Sequence, residues 1–350
     1  MGYNHSFAKL SNLQGLRFYA FMLIFLNHSY GYLGISKVFD FGARGVEIFF
    51  VLSGFLVAYN YADKDLDSSL KGSLIYMLRK VKKFYVLHII TFVCFFITPL
   101  RHFINGSMSV QETNKFMLDT VLNITLLKSW YFPSAFSFNG VTWFLSTILL
   151  AYLLVPKLVA VFKNKSAVYC VISFLVLICV KFILDTYGYR FPHHFKAFSL
   201  YTNPAYRFMD FLLGYIFYTA ISRSHSLNNE KSKGFLALII PLAYIGTCFI
   251  FDRIWLPAEH LLLTLLLVYI LTVRNDVIEF AFGNKVVVAL GNISFELYIL
   301  HSVVLKYMPK LSNILHITNH KILSWMIALF VTIAISFIVN KKLWKNLIRE

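Results

Sequence analysis

The chain has 350 residues, of which 58% are hydrophobic and only 14% charged, with a mean hydropathy of +0.67 and a formal net charge of +17. Water-soluble domains carry about a quarter charged residues, so this composition excludes an ordinary soluble domain and points to a chain solvated by lipid. The 36 Phe and 21 Tyr suit an apolar exterior with rings at headgroup level, and the basic excess falls in short clusters between apolar runs, where it reports topology beside anionic lipid and not a nucleic-acid partner.

A membrane-spanning helix needs about 20 mainly apolar residues. The stretches that qualify or nearly qualify are 14–34, 44–61, 82–100, 141–162, 167–185, 205–222, 234–251, 256–273, 286–308 and 321–340, the third, sixth and seventh being the weakest. They predict an all-α, polytopic membrane protein with about ten transmembrane helices. One transmembrane domain accounts for residues 1–350, closing in a short basic tail, 341–350. Met1 to Leu13 holds no apolar core followed by a small-residue cleavage site, so the first spanning helix is expected to act as the targeting signal. Cys94, Cys170, Cys179 and Cys248 all lie inside apolar runs and read as small buried hydrophobes.

The first stretch carries Gln14, Arg17 and His28. Arg17 and His28 are close to three helical turns apart, so they share one face about 16 Å apart along the axis. An ionisable residue inside a spanning helix is costly and usually faces a cavity or a partner. Two readings stand. The stripe is either the wall of a polar pocket, where an imidazole takes a proton from a hydroxyl near neutral pH, or a snorkelling arginine followed by a histidine in a structural hydrogen bond.

The second stretch opens Gly42-Ala-Arg44-Gly45-Val-Glu47 and continues to Ser53-Gly54. Its glycines permit close approach of a neighbouring helix. Glu47 can orient His28 across the helix pair or pair with Arg44, the spacing favouring the second. The long connection 101–140 mixes Asn105-Gly106, Trp130-Tyr-Phe-Pro133 and Asn139-Gly140, which predicts an ordered cap or a re-entrant piece. Trp143 can stack on a sugar ring or sit in an interfacial aromatic belt. Arg207 can bind substrate or pair with Asp210. Ser294 and His301, seven residues apart on the ninth helix, share nearly one face and either line the same cavity or make structural hydrogen bonds. His193-His194 has no carboxylate or cysteine nearby, so no metal site is expected. With the N-terminus inside, the inner connections hold the larger share of Lys and Arg, which places both termini in the cytoplasm.

Taken together, several pieces resemble the acyltransferase 3 family of membrane-bound O-acyltransferases. They are Arg17 with His28 in the first helix, GxxGVxxFFVLSGF at 42–55, the basic run Arg79-Lys-Val-Lys-Lys-Phe-Tyr85, Trp143-Phe-Leu-Ser146, Pro204-Ala-Tyr-Arg207 with Phe211-Leu-Leu-Gly214, and Leu290 to His301. The resemblance covers nearly the whole chain, in order. It implies a ten-helix domain in the bacterial inner membrane that takes an acyl group, commonly acetyl, from cytoplasmic acetyl-CoA. The acceptor it implies is a hydroxyl of a cell-surface polysaccharide, such as lipopolysaccharide O-antigen, or its lipid-linked precursor. His28 would be the catalytic base, with Arg17 its companion and Glu47 a third member. Arg17, Arg79, Lys80, Lys82 and Lys83 would meet the phosphates of acyl-CoA. Ser53, Trp143, Arg207, Ser294 and His301 would line the acceptor site.

Two features depart from the family pattern. Many members carry a glutamate a few residues after the tryptophan that Trp143 matches, whereas this chain continues Phe144-Leu-Ser-Thr-Ile148. Some members add an extracytoplasmic esterase domain, whereas here a basic tail follows the last helix, so transfer is expected to finish in the membrane domain or with a separate extracytoplasmic partner. The alternatives are a glycan transporter or flippase, and an acyltransferase using succinyl-CoA or a small-molecule acceptor. A transporter of this size would often show paired halves with broken helices in matching places, and the sequence shows no such symmetry.

Overall fold

The computed structural model describes residues 10–33, 41–190, 200–224, 236–250, 257–272 and 275–347. Every regular element among them is helical: α1 (Leu10–Leu33), α2 (Gly42–Tyr61), α3 (Leu70–Ile104), α4 (Val110–Ile124), α5 (Trp143–Phe162), α6 (Ala167–Arg190), α7 (Pro204–Arg223), α8 (Leu236–Ile250), α9 (Pro257–Ile270), α10 (Asp276–Phe282), α11 (Lys285–Asn292), α12 (Ser294–Ile314) and α13 (Lys321–Leu347), with short 3-10 turns between α4 and α5 and before α7. Local sequence sets the boundaries. Ser69 caps α3 by accepting from the Gly72 amide, Ser109 and Glu112 form a reciprocal capping box on α4, and Asn275 and Asn284 cap α10 and α11. Helices α4 and α12 end on residues in the left-handed region, Leu126 and His316, where the next amide reaches back to the carbonyls of Leu122 and Ser312.

Among the described helices, five combine the length and apolarity needed to cross a bilayer: α2, α3, α5, α6 and α13. Helices α11 and α12 pass the same test only as a pair bent by 70°, so the predicted ninth span is broken at Ile293. Helix α7 falls short in hydropathy because Arg207 and Asp210 sit in its first two turns, and α8 and α9 are described over only 15 and 14 residues. The third predicted stretch sits inside a much longer helix of 35 residues whose first turns are basic. Helices α4 and α10 lie in segments where no helix is predicted.

The chain divides into two compact units. The first draws on Met1–Ala62, Asn164–Thr186 and Asp210–Phe295. Its core is aliphatic, with Leu13, Leu16, Ile48, Leu52, Leu213, Leu265 and Val268 all buried. Here α1 packs along α2 and α11, and the predicted close approaches are real: a Cβ on Gly54 would collide with the Phe211 carbonyl oxygen and one on Gly214 with that of Val51. The reciprocal pair brings the α2 and α7 backbones together without intervening side chains, as small residues do in membrane helix crossings. The second unit draws on Asp63–Lys163, Tyr187–Met209 and Glu296–Glu350. Its α3, α4 and the segment before α5 meet in a cluster of rings, with Phe96 stacked on Phe116 at 5.4 Å and Phe138 edge-on to Phe92 at 5.0 Å.

Gly54→Ala and Gly214→Ala are therefore expected to destabilise the folded protein by about 1–3 kcal/mol through overpacking. Gly246→Ala on α8, where a Cβ would meet nothing within 4 Å, should be neutral or stabilising by up to about 1 kcal/mol. Thermal unfolding of the three detergent-solubilised variants, followed by loss of the monodisperse species, checks the contrast.

Candidate active site

Helix α1 carries both residues of the predicted catalytic pair. Arg17 is half-buried and its Nη1 donates to Gln14 Oε1 at 3.4 Å, while His28 is exposed. Because α1 is continuous from Leu10 to Leu33, the two side chains leave the same face about 16 Å apart. Between them on that face, Phe21, Ile24 and Phe25 are buried, with the two phenyl rings 5.7 Å apart. The stripe is thus polar at its ends and apolar in the middle. Asn27, beside His28, lies against Gly42 at the start of α2, where a side chain in place of glycine would strike its amide.

Glu47, on α2, is buried with one oxygen 3.3 Å from Arg44 Nη1 and the other accepting from the Thr264 hydroxyl of α9 at 2.6 Å. The same hydroxyl lies 3.3 Å from the Tyr244 hydroxyl of α8. Of the two partners that the sequence offers this carboxylate, Arg44 is the one it is bonded to. Close by, Lys181 of α6 and Asp210 of α7 form an ion pair at 3.0 Å with both side chains essentially inaccessible, and both charges act on Glu47. Two ion pairs, Arg44–Glu47 within α2 and Lys181–Asp210 between α6 and α7, are thus buried in the same unit. Asp210, weighed from sequence as a partner for Arg207, has Lys181. An isolated lysine inside the apolar run 167–185 was the available signal for this pair, and its acidic partner lies too far along the chain to be matched by spacing.

In the second unit the cap before α5 closes on one lysine. Lys128 has no exposed surface, and its Nζ lies within hydrogen-bond distance of Asn123 Oδ1 (3.2 Å), the carbonyls of Ser137 (2.8 Å) and Asn139 (2.9 Å), and Thr142 Oγ1 (3.2 Å). The Asn123 carbonyl accepts from His88 Nε2 at 2.9 Å, tying in α3. Asn139 Oδ1 accepts from Ser302 at 2.6 Å and the Val141 carbonyl accepts from Tyr298 at 2.7 Å, tying in α12. Burial pushes the Lys128 ammonium down from its ordinary 10.5 to about 7, against the opposing pull of Asp119. Nothing in the spacing around Lys128 distinguishes it from the surface lysines of any loop, and sequence reading missed it.

The remaining predicted residues separate into groups. Trp143 is buried, at 4% exposure, which removes it from an interfacial belt. It lies 4.9 Å from the Tyr201 ring, and the Arg207 guanidinium covers Tyr201 at 4.8 Å, Tyr206 at 5.7 Å and Trp143 at 6.0 Å, with Nε donating to the Tyr201 carbonyl at 2.8 Å. His301 is fully buried and donates through Nδ1 to the Tyr298 carbonyl at 2.7 Å. Ser294 is buried at the start of α12. Ser53 is half-buried and returns its hydroxyl to the Phe49 carbonyl one turn back at 2.6 Å. Arg79, Lys82 and Lys83 are exposed and Lys80 half-buried on the first turns of α3, a cationic collar on one helix. His193 and His194 lie outside the described residues.

Residues 10–341 match the acyltransferase domain that defines the acyltransferase 3 family. The chain belongs to the acyltransferase 3 family. It is also similar to Acyltransferase MdmB of Streptomyces mycarofaciens, with 25% identity over 332 residues covering 85% of this chain and 80% of that protein. No solved structure matches it. The resemblance carried by the motifs is therefore secure at the level of family and reaction class, a membrane acyltransferase.

In this acyltransferase the turn after Trp143, where many members hold a carboxylate, carries hydroxyls. Ser146 accepts from the Ser129 amide at 3.0 Å, and Thr147 donates among the carbonyls of Trp143 (3.0 Å) and Thr202 (3.2 Å). Neutral hydrogen bonds of Ser146 and Thr147 fasten α5 to the cap and to the turn before α7.

Lys128→Met should leave the Asn123, Ser137 and Asn139 oxygens without their donor and destabilise the acyltransferase by about 1–3 kcal/mol. Because the folded pKa of Lys128 lies below its unfolded value, the unfolded chain binds the extra proton between about pH 7 and the ordinary 10.5. Stability therefore rises with pH across that window. The wild-type melting temperature should climb from pH 7 to pH 9.5 more steeply than that of Lys128→Met.

Asp210→Asn strands a buried ammonium and should cost about 3–5 kcal/mol, whereas the double variant Lys181→Met/Asp210→Leu should recover most of that loss. Denaturation of the single and double variants side by side checks the pair, and equal losses would show that the two charges do not compensate each other.

Proposed function

We propose that this acyltransferase transfers an acetyl group from cytoplasmic acetyl-CoA to a hydroxyl of a cell-surface polysaccharide or its lipid-linked precursor, with His28 as general base. Family membership across residues 10–341 carries the reaction class. The accessible imidazole of His28, held on the α1 face that also bears Arg17, supports the assignment of roles.

A sugar hydroxyl is a poor nucleophile at neutral pH, so a positioned base is required. In the proposed reaction the His28 imidazole takes the hydroxyl proton as the acceptor oxygen attacks the thioester carbonyl. Collapse of the tetrahedral adduct breaks the carbon–sulfur bond, and the imidazolium returns the proton to the departing CoA thiolate. Arg17 and the collar of Arg79, Lys80, Lys82 and Lys83 receive the phosphates of the donor at the cytoplasmic face. Ser53, Trp143, Arg207, Ser294 and His301 belong to the acceptor side, the buried Arg207–aromatic stack acting as a wall and not as a free sugar platform. Glu47 is a positioning residue that acts through Arg44. The reading includes about ten crossings of the bacterial inner membrane in a single domain with both termini cytoplasmic, and leaves room for a separate extracytoplasmic partner. Succinyl-CoA as donor and a small molecule as acceptor fit the same machinery.

In a deletion strain complemented with His28→Ala, glycan acetylation is expected to fall by about 10²–10⁴-fold while the protein inserts at wild-type levels. Mass spectrometry of the surface glycan, reading the mass of one acetyl group per repeat, checks it. Wild-type acetyl content in that strain removes His28 as the base. Loss of the polymer itself, with acetylation unchanged on what is made, would favour the flippase.

A further inference from the structure

Helices α12 and α13 are joined by a short turn and leave between them an open furrow of about 360 Å³. Its walls are Val303, Tyr307, Leu311 and Ile314 at helical spacing on α12 and Val331 and Ile335 on α13. One cation, Lys310, lines this otherwise apolar surface. From Val303 to Ile314 the furrow runs about 16 Å, about half of a 30 Å hydrocarbon core, which is the depth of one leaflet.

Apart from Glu296 near the start of α12, whose carboxylate accepts from Asn340 of α13, the helix pair carries basic charge only. From Leu297 to Arg349 there is no Asp or Glu, while Lys306, Lys310, Lys321 and the histidines of the connecting turn, His316 and His320, fall in that segment. Lys306 is already engaged, its Nζ donating to the Cys94 carbonyl at 3.0 Å and lying 4.3 Å from the centre of the Phe95 ring. Lys310 is exposed and makes no ion pair or hydrogen bond among the described residues. We propose that this furrow is a binding site for an anionic phospholipid, one acyl chain lying between α12 and α13 and the phosphate paired with Lys310.

The chemistry selects against the other occupants. A second copy of the chain seated on the same face would bring Lys310 towards like charge in a segment that offers no carboxylate. A zwitterionic lipid brings its own ammonium to the rim, cancelling the attraction that one lysine exerts on an anionic headgroup. The site does not depend on the acyl-transfer reading.

The test places the purified full-length protein in phosphatidylcholine nanodiscs containing a minor fraction of phosphatidylglycerol with a photoactivatable acyl chain. After irradiation, mass spectrometry should find the label on peptides spanning 303–314 and 331–335. Lys310→Gln should lower that labelling about fivefold, Lys310→Glu further, and a phosphatidylcholine probe should label weakly and equally in all three proteins. Val331→Trp, which fills the furrow, should remove the label while gel filtration confirms that the protein folds. Equal labelling by both lipids, or no response to either Lys310 variant, overturns the site. Preferential labelling by a polyprenyl-phosphate probe, or crosslinking to a second copy, overturns the phospholipid assignment.

Discussion

Charge taken away from water must be matched inside the protein, because desolvating an unpaired ion costs several kcal/mol even after relaxation. Each unit of this acyltransferase obeys that constraint differently. The first pairs ions with ions, Arg44 with Glu47 on α2 and Lys181 of α6 with Asp210 of α7, and Thr264 of α9 donates to the remaining oxygen of Glu47. The second surrounds one cation, Lys128, with four oxygens drawn from α4, the cap and the start of α5. The first fastens helices far apart in sequence and the second ties the cap to the helices that flank it, and apolar packing alone lacks such directionality.

These polar groups also explain how the predicted functional residues are held. Glu47 is locked by Arg44 and Thr264 and so fixes the register of α2 against α9, while the glycine pair Gly54 and Gly214 sets the closeness of α2 to α7. In the cap, the contacts that satisfy Lys128 position Asn139, Thr142 and the first turn of α5, from which Trp143 meets Tyr201 beneath the Arg207 guanidinium. Arg17 and His28 form the polar ends of the α1 stripe. Between them the stripe is buried phenylalanine, so its two polar groups stand as separate stations along one helix.

Much of this organisation is legible in the chain. Long apolar runs specify helices because a backbone in hydrocarbon has no other way to satisfy its amides, and the helix ends follow from Ser69, Ser109, Asn275 and Asn284 acting as caps. The family is legible too, since Arg17 with His28, the 42–55 motif and the Trp143 motif are each short patterns contained within one helix or its first turn. Spacing also favoured Arg44 as the partner of Glu47, an interaction within a single turn of α2.

What lay beyond the sequence is whatever depends on two helices meeting. The charge pair Lys181–Asp210 and the stacking of buried Trp143 on Tyr201 join residues tens of positions apart, and the burial of Lys128 and the break between α11 and α12 depend on how neighbouring segments pack. Sequence alone determined that the chain is helical, membrane-embedded and a member of the acyltransferase 3 family, because hydropathy and intrahelical spacing are local properties. Only the tertiary structure decided which buried charges neutralise which, because Coulomb pairing and hydrogen bonding depend on distances of about 3 Å that packing, and not chain order, brings about.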